Sequence, residues 1–129
     1  MIMTADARIK EFLEGIEQFN KKEFFDCHET LEHLWMHDRS PERELIQGII
    51  QIAVGYYHYL RSNRVGALKL LTRGLERIRK YDATCMHLNI EQLALDVSSN
   101  IQEIENSEKD TFPPISIPVI EVLGGLTSC

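Results

Sequence analysis

The sequence predicts an all-α fold: a compact antiparallel bundle of four to five helices with an extended, proline-containing C-terminal strap. Three observations carry this. Apolar residues recur at three- and four-residue spacing through five segments. Short polar turns join the segments, which favours antiparallel neighbours. The stretch Pro113-Pro-Ile-Ser-Ile-Pro-Val-Ile120 excludes continued helix yet keeps Ile115, Ile117, Val119 and Ile120 for packing.

The first helix is expected over Asp6 to Gln18, with Ile9, Phe12, Leu13 and Ile16 on one face and Thr4 as its cap. The second runs from Lys21 to Met36, where Asn20 and Glu23 have the spacing of a capping box. His37 and Asp38 fray it. Ser40-Pro41 then starts the third helix, which runs to Leu60. This third helix is apolar around nearly its whole circumference, which places it at the centre of the bundle. Gly48 and Gly55 cost roughly 1 kcal/mol each against alanine inside a helix, so a close helix approach is expected to compensate. After the turn Arg61-Ser-Asn-Arg64, a fourth helix spans Val65 to Tyr81, with Ala67, Leu70, Leu71, Gly74, Leu75 and Ile78 inward. Asn89 and Gln92 open the fifth, which runs to Ile104 and turns Ile90, Leu93, Ala94, Val97, Ile101 and Ile104 inward.

The chain has 129 residues, which suits one domain over residues 1–129. It is 43% apolar and 26% charged, ordinary for a folded soluble protein, and its net charge of -6 excludes a uniformly basic binder of nucleic acid or anionic membrane. No stretch approaches the 18 or so apolar residues a membrane span needs, and the start turns polar too soon for a signal peptide. Cys27, Cys85 and Cys129 are odd in number and far apart, so no disulfide framework is expected and the cytoplasm is the expected location.

The chemically informative stretch lies in the second helix. Phe24, Phe25, His28, Leu31, Glu32 and Trp35 fall on one stripe, which would turn His28 and Glu32 toward the core. On the third helix Gln47, Gln51 and His58 share a side. If the two faces meet, His28, Glu32, Gln51 and His58 form a buried or half-buried polar cluster. Three readings fit such a cluster. One is a hydrogen-bonded network that links helices, and the two glutamines favour it. Another is a small-ligand or divalent-metal site, with His28, Glu32 and His58 as ligands. The chain lacks the Glu-x-x-His pairs of di-iron bundles and the His-Glu-x-x-His of zinc hydrolases. The last reading is catalysis, with His28 as a base oriented by Glu32; metal-dependent hydrolysis by His28, Glu32 and His58 is the enzyme alternative. Cys27 adjoins His28 in sequence but faces another side, and there is no nucleophile elbow or glycine-rich phosphate loop. His33 and His37 lie opposite the apolar stripe and are expected in solvent.

Residues 61–80 hold seven basic residues and one acid, whereas residues 82–129 hold eight acids and one base. A basic fourth helix matched by an acidic fifth is the simplest account. The sharper one is a nucleic-acid adaptor with Arg73, Arg77 and Lys80 as a phosphate-contacting stripe, although no known nucleic-acid motif accompanies it. A homodimer fits the aromatic content of the third helix.

Phe19-Asn20, Phe24-Phe25, His28-Glu29, Glu32 and Trp35, followed by Leu45-Ile-Gln-Gly-Ile-Ile-Gln51 and by His58, Asn63, Gly66 and Ala67, resemble the signature of the DUF309 family. These are small helical proteins of unknown function, largely bacterial and archaeal. The resemblance covers residues 9–80. It implies a helical bundle and a suspected site at His28, Glu29, Glu32, Trp35, Gln47, Gln51 and His58, and it brings no activity.

Overall fold

The computed structural model describes residues 3–124. It is mostly helical: α1 (Ala5–Asn20), α2 (Phe24–His37), α3 (Arg43–Leu60), α4 (Arg64–Ile78) and α5 (Ile90–Asn106), with a small hairpin, β1 (Thr84–Cys85) and β2 (Leu88–Asn89), before α5. Adjacent helices pack in chain order, and the most extensive contact is between α3 and α4. No helix among the described residues is long and apolar enough to cross a membrane.

Local chemistry explains most boundaries. Thr4 accepts from the Ala7 amide, Asn63 from Gly66 and Asn89 from Gln92, so three helices start on a side-chain cap. The capping box expected at Asn20 and Glu23 does not form. Asn20 is the last residue of α1, Lys22 turns the chain with a φ of 62°, and Glu23 makes no side-chain cap. The Asn20 amide is used elsewhere: it donates to the Ile120 carbonyl at 3.0 Å and accepts from the Ile120 amide at 2.7 Å. Helix α3 begins two residues after Pro41, and Ser40 Oγ accepts from the Glu42 amide at 3.3 Å instead of capping the helix directly.

The core runs through α3, where Leu45, Ile46, Ile49, Ile52, Ala53 and Tyr56 are fully buried. Contact of α3 with α4 is possible because both present glycine. A Cβ on Gly74 would stand 2.7 Å from the Gly48 carbonyl oxygen, and one on Gly55 would meet Leu71. The expected close approach therefore occurs, and it answers the helix-propensity cost. Phe19, Phe24 and Tyr56 form an aromatic cluster with ring centroids 5.1–6.1 Å apart. Buried Tyr56 donates to Asn100 Oδ1 at 2.6 Å, which ties α3 to α5. Asn100 is an inward position on α5 that its polar side chain concealed from pattern reading.

The hairpin before α5 has no counterpart in the helical periodicity. Its two-residue turn is Met86-His87, both at positive φ, where Asn-Gly would be the usual signal. After α5, residues 112–121 have no helix; Ile120 is buried, Ile115 and Ile117 are half-buried, and Val119 is exposed. Tyr59 donates to the Pro113 carbonyl, and Asn89 and Leu123 amides donate to the Glu121 and His87 carbonyls. Cys27 is a free, buried thiol. Cys85 is disulfide-bonded, a bond that the expectation of no disulfide framework does not include. Cys129 lies outside the described residues.

Candidate functional site

Helix α2 offers two parallel stripes at three-four-three spacing. One is Phe24, Cys27, Leu31 and Leu34; the other, one residue later, is Phe25, His28, Glu32 and Trp35. The first is more apolar and takes the core. The second is rotated about 100° away and borders the surface beside α3. The expectation that His28 and Glu32 point into the core is thereby corrected. Their side chains are 31% and 50% exposed, and they pair with each other, Nε2 to Oε2 at 2.8 Å. Phe25 is 55% exposed.

The contacts at either end of this stripe fix the seam between α2 and α3. At one end the Phe25 ring lies 6.1 Å from that of Tyr57, and the Arg61 guanidinium lies over the Tyr57 ring at 5.3 Å. At the other end the Arg43 guanidinium lies 3.8 Å over the Trp35 ring. The helices are thus antiparallel, and His28 and Glu32 fall between these ends on α2, as Gln47 and Val54 do on α3. Trp35 is half-buried. Its Nε1 and the Arg43 Nε are both shielded from solvent, and neither meets a protein acceptor.

The remaining suspected residues disperse. Gln51 turns to α4, where its Oε1 accepts from Arg77 Nε at 2.9 Å while the Arg77 guanidinium also pairs with Glu44. His58 Nδ1 lies 3.3 Å from Asn63 Nδ2 at the α3–α4 turn. Glu29 is exposed on the side facing α1, beside a shallow hollow that also takes in Glu11 and His33. His33 and His37 are exposed as expected. His33 Nδ1 lies 2.5 Å from Glu11, and His37 Nδ1 bonds the His33 carbonyl at 2.8 Å. Among the described residues no group of three or more His, Cys, Asp or Glu side chains could hold a metal ion, so His28, Glu32 and His58 do not converge as ligands. Cys27 has no part in the seam: burial pushes its thiol up to about 12, which leaves it a neutral core group.

On α4, Arg73 is exposed and Arg77 is half-buried; Lys80, exposed, lies in the turn after the helix. The matching of a basic α4 by acids of α5 is not what the structure has. Among the described residues no ion pair joins the two helices. Arg64 instead donates to the Ser107 hydroxyl at 2.9 Å and to backbone carbonyls at the end of α5, and Asp96 and Glu103 bond Gln92 and Asn100 of their own helix.

A residue that sequence reasoning passed over is Arg43. Its neighbour Trp35 was visible, but the two are joined across a helix connection that no periodicity describes. The seam thus gathers the enclosed Arg43 and Trp35 donors, the His28–Glu32 pair and the Tyr57 face.

Comparison with known proteins places this seam inside a described family region. Residues 12–70 match the model of DUF309, a domain of unknown function. The chain is also similar to the uncharacterized protein YpuF of Bacillus subtilis (strain 168), 32% identical over 89 residues. That similarity covers 67% of this chain and 48% of the relative, so the chain spans about half the length of the curated protein it matches.

Proposed function

We propose, with the DUF309 match over residues 12–70 as premise, that this small helical protein acts by binding, and that its ligand or partner presents a carboxylate to the seam of α2 and α3. One observation carries the reading: Trp35 Nε1 and Arg43 Nε lie in the same cation–π stack, withdrawn from water and without an acceptor. A buried donor left unpaired costs about 1–3 kcal/mol, so an arriving acceptor gains what the free protein forgoes. A carboxylate suits a planar guanidinium best because it can accept two parallel bonds. His28, held by Glu32, and the half-buried Gln47 add polar groups along the same seam.

Trp35 is the single tryptophan of the chain, so intrinsic fluorescence reads this site alone. Titration with N-acetylglutamate, and with inorganic phosphate for contrast, is expected to give a saturable emission change with the carboxylate. Arg43→Ala should weaken it at least about 10-fold, as expected for loss of a charge-assisted bond. An emission that stays flat with N-acetylglutamate in the unsubstituted protein would sink the carboxylate reading.

A second reading has its own support. Lys69, Arg73, Arg79 and Lys80 stand exposed on and just after α4, and no acid of α5 screens them by an ion pair among the described residues. An anionic polymer such as nucleic acid fits that row. Binding of a single-stranded oligonucleotide should then fall steeply with salt, and the double substitution Arg73→Glu with Lys80→Glu should abolish it. Equal retention by the variant would remove this reading. The C-terminal residues 112–121 serve in either case as a strap across an antiparallel bundle, a role supported by the Asn20 and Tyr59 bonds to Ile120 and Pro113.

A further inference from the structure

A separate concavity lies away from the seam. A cleft of about 590 Å³ lies between the start of α1, the α2–α3 connection, the segment after α4 and the hairpin turn. Its volume falls within the range of small-molecule sites, about 300–1,000 Å³. Most of its lining lies outside residues 12–70, so it is separate from the family region that holds the seam.

Two cations, two carboxylates and one imidazole line it: Arg8 and Lys80, Glu42 and Asp82, and His87. Arg8 is not a loose surface charge. Its Nε donates to Asp38 at 2.7 Å and its Nη2 to Ser40 Oγ at 2.7 Å, with Glu42 at 3.8 Å. The Asp38 side chain is only 1% exposed. A buried carboxylate thus fixes one edge of the guanidinium, and these bonds leave Nη1 uncommitted. Such a fixed guanidinium has already lost its rotamer freedom before a ligand arrives, which lowers the cost of binding.

The balance of charges decides the class of ligand. A simple anion would meet Glu42 and Asp82, and a simple cation would meet Arg8 and Lys80. A molecule that carries both a carboxylate and an ammonium gains at both kinds of group. Tyr81 and Met86 add apolar wall for a side chain. We propose that this cleft binds a free amino acid or a close zwitterionic analogue, with Arg8 and Lys80 receiving the carboxylate and Glu42 and Asp82 the ammonium.

The test uses L-leucine, its deaminated acid isocaproate and its decarboxylated amine isoamylamine as probes. The readout is the methyl resonance of Met86, assigned through Met86→Leu. L-leucine is expected to shift that resonance saturably, and each single-charge probe to bind at least about 10-fold more weakly, the loss of one charge-assisted contact. Arg8 substitutions strand Asp38 and risk the fold, so the exposed pair Lys80→Ala and Asp82→Asn is the variant of choice; it should also lose about 10-fold with an unchanged circular dichroism spectrum. Isocaproate or isoamylamine binding as tightly as L-leucine overturns the zwitterion assignment. Absence of any Met86 shift, or an unaltered affinity in the double variant, overturns the site.

Discussion

Replacing Asp38 by alanine is expected to cost about 3 kcal/mol of folding stability, the lower end for breaking a buried ion pair. Asp38 ends α2 and looked from sequence like a frayed terminus. In the fold its side chain is almost fully enclosed, accepting from Arg8 Nε and from the Ser40 amide, each at 2.7 Å. Alanine removes the acceptor and leaves the Arg8 guanidinium, 22% exposed, with Ser40 and a more distant Glu42. Asparagine keeps the volume and one acceptor, and should lose less. The pair also has a pH signature. Burial alone would raise the Asp38 carboxyl, but the Ser40 and Arg8 hydrogen bonds and the Arg8 charge outweigh burial and hold it below the ordinary aspartate range. A carboxyl depressed in the folded state stabilises above its unfolded pKa, near 4, and that contribution is lost as pH falls through the lower folded value. Urea denaturation across pH 5 to 2 should therefore show a steeper loss for the unsubstituted protein than for Asp38→Ala. Parallel curves would mean that the pair is energetically idle.

Gly74→Ala should destabilise the protein by about 2 kcal/mol, even though alanine is the better helix former by roughly 1 kcal/mol. The new Cβ would lie 2.6 Å from Ile52 Cγ1, 2.7 Å from the Gly48 carbonyl oxygen and 3.0 Å from the Ile52 amide nitrogen. Two of the three are backbone atoms and cannot rotate aside. The helices must separate, and that separation loosens Ile52 and Ile78, both fully buried. Because α3 and α4 make the most extensive helix contact in the fold, the change spreads through the core. The midpoint of thermal unfolding should fall by roughly 8 °C for this size of domain. A Gly74→Ala protein as stable as its parent would show that the α3–α4 approach has slack.

Both sites show why sequence reading succeeded in one place and not in another. The glycines of α3 and the all-round apolarity of that helix are local facts, and they placed α3 at the centre correctly. The caps at Thr4 and Asn89 are local too, three residues from their partners. The Arg8–Asp38 pair spans 30 residues, and the Asn20–Ile120 bonds span 100; neither leaves a periodic trace. For α2, two stripes one residue apart competed. Cys27 and Leu34 outweighed His28 and Trp35 in burial, which a wheel that ranks aromatic residues first does not anticipate. The candidate site was consequently legible as a set of residues on α2 and α3 but not as a geometry. Its glutamine and second histidine turn toward α4, and Arg43 enters in their place.

The bonds between Asn20 and Ile120 have a consequence for the order of assembly. Closing a loop of this length carries an entropic cost that neighbouring helix pairs do not bear, because their contacts lie within adjoining segments. The helix pairs can therefore form first, and the Asn20–Ile120 bonds close after them. During synthesis the end of α1 must wait, its amide hydrated, until a partner one hundred residues later leaves the ribosome. A side chain at the end of α1 thus fastens a segment made one hundred residues after it.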